Sequence, residues 1–339
     1  MASHINQLIE QARAAEIRKD WDAAETALTQ ILERDRWQPE ANYRLGCMAL
    51  EAGYPEDALE LAGNALKRAP ADQSYQKLRI LCLQQLIKSC TTGQRWVDLI
   101  GYAKQLSTVH SEAAVGYGWL ATAYMKLGRM EACRAIYRKR LRVIPPDALA
   151  FSQWIGLHAG DPETGDAAYY QLAKSWDAQF HAQHASPVSA VGDKGALRIG
   201  FVSSTLRNHA NVKFLLPLLS ALKDFPVEVF AYHDGAVTDA VTTRIEGVCH
   251  RFTSIAGQPL EQAAAQIRDD QIDVLIDING HFDQSRMSLY MWRPAPAQLH
   301  YLGGTGALAM RSIDGRLADE ITEPSELPER PSDRVYRIS

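Results

Sequence analysis

The stretch Leu197-Arg-Ile-Gly-Phe-Val-Ser-Ser-Thr-Leu-Arg-Asn-His209 decides how the chain is to be read. Leu197, Ile199, Phe201 and Val202 form a β-type apolar run, and Ser203, Ser204, Asn208 and His209 come where it ends. The pattern predicts a buried strand, Leu197 to Ser203, running into a polar loop. In an open parallel sheet, ligands sit beyond the carboxyl ends of strands, so this loop is where chemistry would be placed. A second stretch, Arg293-Pro-Ala-Pro-Ala-Gln-Leu-His-Tyr-Leu-Gly-Gly-Thr-Gly306, makes the same kind of statement. Two prolines fix an extended entry into a strand, and three glycines come after it.

Working outward, the region after Gly195 alternates strand-like and helix-like segments. Strands are expected at Leu197 to Ser203, Val227 to His233, His250 to Ile255, Asp273 to Asn279 and Gln298 to Leu302, with shorter ones at Gly315 to Ala318 and Arg334 to Ile338. Helices are expected at Val212 to Lys223, Ala236 to Val248, Pro259 to Asp270 and Arg286 to Trp292. Such alternation implies a mostly parallel sheet covered on both faces, a Rossmann-like unit. Neither Gly-x-Gly-x-x-Gly after the first strand nor a phosphate-loop pattern occurs, which disfavours a dinucleotide enzyme or an ATPase.

Upstream, the sequence repeats. Leu45-Gly46, Gly53, Ala58 and Pro70 recur in frame as Leu120-Ala121, Gly128, Cys133 and Pro145. Lys19, Ala24 and Leu32 align with Gly53, Ala58 and Leu66, and a worn copy is expected to turn at Gly93. These offsets match the tetratricopeptide pattern of helix pairs, each burying its apolar face by stacking on a neighbour. The fold class is therefore an α superhelix followed by an α/β Rossmann-like domain. Residues 1–150 are read as the array and 151–195 as capping helices and linker. The linker runs from His184 to Gly195, and residues 196–339 form the sheet domain.

Composition excludes several classes. A hydrophobic share of 46% with 22% charged residues is that of a globular protein, and a net charge of -4 gives no reason to expect nucleic acid. The start of the chain lacks a signal-peptide pattern and no segment is apolar for long enough to span a bilayer, so a cytoplasmic location is expected. Cys47, Cys82, Cys90, Cys133 and Cys249 show no metal spacing, so reduced thiols and no metal site are expected.

Three loops carry the candidate chemistry. His209, just before a helix, could exchange a proton near neutral pH or serve as a cap; Asn208 and Asn211 are N-cap candidates for the same helix. Asp277-Ile-Asn-Gly-His281 closes the fourth strand, with His281 or Asp283 able to cap the next helix. Gly303, Gly304 and Gly306 would leave exposed amides able to hold an oxyanion or phosphate.

With those residues in place the chain resembles the O-linked N-acetylglucosamine transferases and their bacterial relatives. Leu197 to His209 resembles the family's opening strand and His-bearing loop, and Asn279-Gly280-His281 its Gly-His-Thr loop. Arg293-Pro-Ala-Pro-Ala-Gln298 with Leu302-Gly303 resembles its most specific block, and Asp314, Leu317 and Asp319 the strand beyond. The sequence departs from the pattern at Ala210, Phe282 and the loop Leu302-Gly303-Gly304-Thr305-Gly306-Ala307. The resemblance implies the first half of a GT-B fold and transfer of a sugar from a UDP-sugar to Ser or Thr of proteins. It implies no cofactor beyond that donor, and an acceptor recruited by the repeat groove. His209 would be catalytic, with Asn208, His281, Gly303, Gly304 and Thr305 binding substrate in one cleft. The second Rossmann half, which holds UDP in the family, is expected to be missing, so UDP-sugar would bind only if that half were supplied. The alternative reading is a protein-binding module without catalytic activity.

Overall fold

The computed structural model describes residues 2–109, 112–144, 147–159, 161, 163–181, 195–282, 286–304, 306–326 and 333–338. Of the expected linker, only Gly195 lies among them. The chain divides into two compact units, Met1–Ile144 and Pro145–Ser339.

The first unit is four helix pairs: α1 (Ala2–Ile17) with α2 (Trp21–Arg34), α3 (Pro39–Glu51) with α4 (Pro55–Arg68), α5 (Gln73–Thr92) with α6 (Trp96–Leu106), and α7 (Ala113–Lys126) with α8 (Met130–Val143). The helix starts are local decisions. Asp20 accepts the Ala23 amide at 3.2 Å to open α2, Gln38 accepts that of Ala41 at 2.6 Å ahead of Pro39, and Asp72 caps α5. The tight turns carry a left-handed residue at Lys19, Gly53, Gln94 and Gly128. From 19 to 53 is 34 residues, from 53 to 94 is 41, and from 94 to 128 is 34 again. The turn expected at Gly93 therefore pivots one residue later: Gly93 has φ -83 and Gln94 has φ +54. The seven extra residues go into α5, which has 20 residues against 13 in α3.

The second unit opens with α9 (Ala148–Gly156) and α10 (Asp166–Phe180) and continues into a sheet of β1 (Leu197–Ser203), β2 (Val227–His233), β3 (Arg251–Ser254), β4 (Val274–Asp277), β5 (Ala297–His300), β6 (Gly315–Ala318) and β7 (Val335–Arg337). Between strands run α11 (Ala210–Ala221), α12 (Ala240–Glu246), α13 (Leu260–Asp269) and α14 (Ser288–Met291). All pairings are parallel and the order is β3-β2-β1-β4-β5-β6-β7. α12 starts later than its apolar pattern suggests because Asp239 and Thr242 close a capping box.

Side-chain alternation splits the core into two layers. Phe201, Val229, Ala231 and Ile276 face Val212, Leu215 and Leu219 of α11 and Ile245 of α12. Their neighbours Val202, Phe230, Tyr232 and Leu275 face the other way, toward Ile155 of α9, Trp176 of α10, Ile267 of α13 and Tyr290 of α14. Trp176 is fully buried and its Nε1–H donates to the Ala148 carbonyl at 2.7 Å, which ties α10 to α9.

Candidate functional site

Strand order reverses between β1 and β4, and in doubly wound sheets that switch point is where ligands bind. The loops after β1, β4 and β5 stand side by side here, as the sequence implies. The first two are laced together. Asn279 Oδ1 accepts the Ser204 amide at 2.9 Å, and Asn211 Nδ2 donates to the Ile278 carbonyl at 3.1 Å.

His209 is half-buried and is itself the N-cap of α11, its Nδ1 accepting the Asn211 amide at 3.3 Å. The sequence offered His209, Asn208 and Asn211 for that role, and it falls to His209. Asn208 is instead exposed, its amide donating to Asp239 Oδ2 at 2.8 Å, and the Asn211 side chain is turned to β4. His209 and Asn208 line an open groove of about 400 Å³ between α11 and α12, with Lys213 and Arg244 beside them. Lys213 in the first turn of α11 and Arg244 in the last turn of α12 give the groove two cations, which suits it to an anionic group.

Asp277, 1% exposed at the end of β4, organises the next loop. Its Oδ2 accepts the Gly280 amide at 2.6 Å and His300 Nδ1–H at 2.7 Å, and its Oδ1 accepts Tyr290 O–H at 3.0 Å. Parallel pairing places Asp277 directly opposite His300. Sequence reading missed His300 and Tyr290. The available signal was two polar residues, Gln298 and His300, at alternate positions of one strand, where one face must be buried. Both are buried.

His281 does not share the His209 groove. Gly280, at φ +59, turns the chain so that His281 lies 2% exposed against the helices of the opposite layer. Its Nδ1 is 2.6 Å from Ser152 Oγ of α9, and its ring meets Trp176 of α10 edge-on at 5.4 Å. Burial pushes its pKa down to about 4, from a usual 6.5; Asp277 opposes this and His300 adds to it. The folded chain keeps the ring neutral, whereas the unfolded chain takes up a proton below about pH 6.5. This group's contribution is intact above pH 6.5 and is lost as pH falls toward 4, by roughly 2–3 kcal/mol at pH 4.5. Denaturant titrations at pH 7 and 4.5 should therefore differ less in His281→Gln than in the wild type. An unchanged difference would show that another group titrates.

The glycine loop also differs from expectation. The Gly303 amide donates to the Tyr301 carbonyl and that of Gly304 to the Leu302 carbonyl, both at 2.9 Å, so neither is presented to an oxyanion. Leu302 holds φ +66 at the centre of the first of these two tight turns, a strained conformation for a non-glycine residue. A Cβ on Gly303 would lie 2.3 Å from the Asn279 carbonyl carbon, one on Gly304 2.4 Å from the Phe282 ring, and one on Gly306 2.1 Å from the Tyr169 ring. The glycines are needed for packing. Thr305 and Asp283 lie outside the described residues. The Arg-Pro-Ala-Pro-x-Gln block is a clasp. The Arg293 guanidinium bonds Asp314 at 2.8 Å, and Gln298 Nε2 donates to the Tyr290 and Ser312 carbonyls at 2.9 and 2.6 Å.

The five cysteines are unpaired, with Cys82, Cys90 and Cys133 buried. Among the described residues no helix is long and apolar enough to cross a membrane.

Helix pairs followed by a parallel sheet, with polar loops meeting at its switch point, define a repeat protein bearing a Rossmann-like domain. Residues 177–338 match the model of glycosyl transferase family 41, and this match supports a likeness of that stretch to the O-GlcNAc transferases. The probable UDP-N-acetylglucosamine–peptide N-acetylglucosaminyltransferase SEC of Arabidopsis thaliana is 28% identical over 153 residues, 45% of this chain and 16% of that protein. The corresponding SPINDLY protein of the same plant is 22% identical over 180 residues, 51% of this chain and 20% of that one. The chain thus spans about a fifth or less of these relatives. A mutant O-GlcNAc transferase of Thermobaculum terrenum superposes on the whole chain with TM-score 0.59 at 22% identity, covering 58% of its own length. That likeness shows the fold.

Proposed function

We propose that the second unit is the acceptor-side half of a protein O-glycosyltransferase that moves N-acetylglucosamine from its UDP-sugar to Ser or Thr. The family 41 match over residues 177–338 carries this reading. The names of the SEC and SPINDLY relatives support the donor and the peptide acceptor. No further cofactor is required, because the sugar nucleotide brings its own leaving group. The repeat array would recruit the acceptor protein.

In this reading His209 is the base. With Nδ1 engaged by the Asn211 amide, proton exchange would run through Nε2. The acceptor hydroxyl oxygen would bond to the anomeric carbon as the bond to the diphosphate breaks, and the hydroxyl proton would pass to the imidazole. Lys213 and Arg244 would face anionic groups in the same groove.

The test separates chemistry from capping. Asparagine is a good N-cap, whereas alanine costs a helix about 1 kcal/mol. With the second Rossmann half of a relative supplied, His209→Asn should keep stability within a few tenths of a kcal/mol and abolish transfer of radiolabelled sugar from UDP-N-acetylglucosamine. Full transfer by His209→Asn would reduce the residue to a cap.

One observation favours a second reading, a repeat protein that binds without transferring: His281 and the Gly303–Gly304 amides are engaged in internal packing. A folded chain that shows neither UDP binding by calorimetry nor transfer even when the second Rossmann half of a relative is supplied would support it.

A further inference from the structure

The first unit carries a groove whose lining bears on what kind of partner the repeats would recruit. It lies between α2 and the α3–α4 hairpin and encloses about 630 Å³, room for a few side chains rather than a folded domain. Its floor is Leu45, Met48 and Leu61, all half-buried, and two exposed aromatics stand at its sides, Trp21 at 47% and Tyr54 at 61%. Large aromatics left this open beside an apolar floor are characteristic of surfaces that bind, because each offers much area at little entropic cost.

The rim has one sign of charge. Glu25, Glu51 and Asp57 line the groove, and no lysine, arginine or histidine does so among the described residues. Some carboxylates elsewhere in the unit are ion-paired: Glu40 meets Arg13 and Arg44, and Asp35 meets Arg68. None of the three rim carboxylates has such an ion pair among the described residues. An acidic or purely apolar occupant would crowd or desolvate them without compensation. A lysine or arginine stem, by contrast, can lie along the apolar floor while its charged head reaches the rim.

We propose that this groove docks a basic amphipathic segment of another protein, in which lysine or arginine alternates with leucine-like side chains. The proposal names the chemistry of the partner recruited by the repeats and rests on that part of the reading; because its test reads equilibrium binding, it can fail while the transferase reading of the second unit holds.

The test uses the full chain and a fluorescein-labelled 14-residue leucine–lysine peptide, with a leucine–glutamate peptide of the same pattern as its counterpart, read by anisotropy. The lysine peptide should bind and the glutamate peptide should not, and the affinity should fall about tenfold or more between low and physiological salt. Glu25→Lys/Glu51→Lys/Asp57→Lys should reverse the preference, and Trp21→Ala should weaken the lysine peptide severalfold. All four positions are exposed, so an unchanged circular-dichroism melt is expected. Glu33→Lys/Glu60→Lys/Glu261→Lys makes the same change of net charge at exposed sites outside the groove and should leave binding within about twofold. Equal loss in both triple variants, or equal binding of both peptides by the wild type, would overturn the proposal.

Discussion

Asp277→Ala is expected to cost the second unit about 3–5 kcal/mol, read as lost hydrogen-exchange protection of the β1 and β4 amides. The carboxylate is 1% exposed and accepts from Tyr290 O–H, His300 Nδ1–H and the Gly280 amide at 3.0, 2.7 and 2.6 Å, with the Asn279 amide at 3.3 Å. Removing it strands four donors in a buried site, and each stranded donor costs about 1–3 kcal/mol. The sum is reduced because the buried carboxylate is itself expensive to desolvate. Asp277→Asn keeps the shape and one acceptor oxygen and should cost only about 1–2 kcal/mol. The decisive variant is Asp277→Ala/Tyr290→Phe/His300→Leu. If stranded donors are the cause, deleting two of them should restore part of the loss, whereas a pure packing defect would deepen with each change. A cost under 1 kcal/mol for Asp277→Ala would mean that the network adds no net stability.

That network marks the boundary of what the sequence makes legible. β1, β2 and β6 fall on the expected residues because their apolar β-type runs end at polar or glycine-rich breaks. The turns at Gly53 and Gly128 are legible because glycine takes the left-handed conformation at little cost. Gln94 adopts it under tertiary constraint and gives no sign of doing so. The three loops are legible as the rim of a sheet, since parallel topology brings successive strand ends to one edge. Their contents are not. His281 is buried because Ser152 and Trp176, more than 100 positions earlier in the chain, close over it. His300 matters because strand register sets it opposite Asp277. A glycine reads identically whether a ligand or a neighbouring loop approaches it, so the sequence could not tell packing from binding at Gly303 and Gly304.

Two glycine variants separate those roles. Gly303→Ala is expected to cost about 3 kcal/mol or more. Its Cβ would meet the Asn279 carbonyl carbon at 2.3 Å and the Ile278 oxygen at 2.5 Å, both backbone at the end of β4, so no side-chain rotation relieves the clash. The β5 loop would have to leave the β4 loop. Gly304→Ala meets a different obstacle, the Phe282 ring at 2.4 Å, and carries the strain of φ +108 besides. Phe282→Ala should therefore return about 1 kcal/mol or more to Gly304→Ala, leaving the backbone strain, and return nothing to Gly303→Ala. Two double-mutant cycles sharing Phe282→Ala, six chains in all and read by denaturant unfolding, measure that asymmetry. If both glycines instead served an approaching ligand, neither variant would lose much stability and Phe282→Ala would rescue neither. The loop would then regain the binding role that its sequence suggests, and the close contacts with β4 and Phe282 would count as tolerated rather than required.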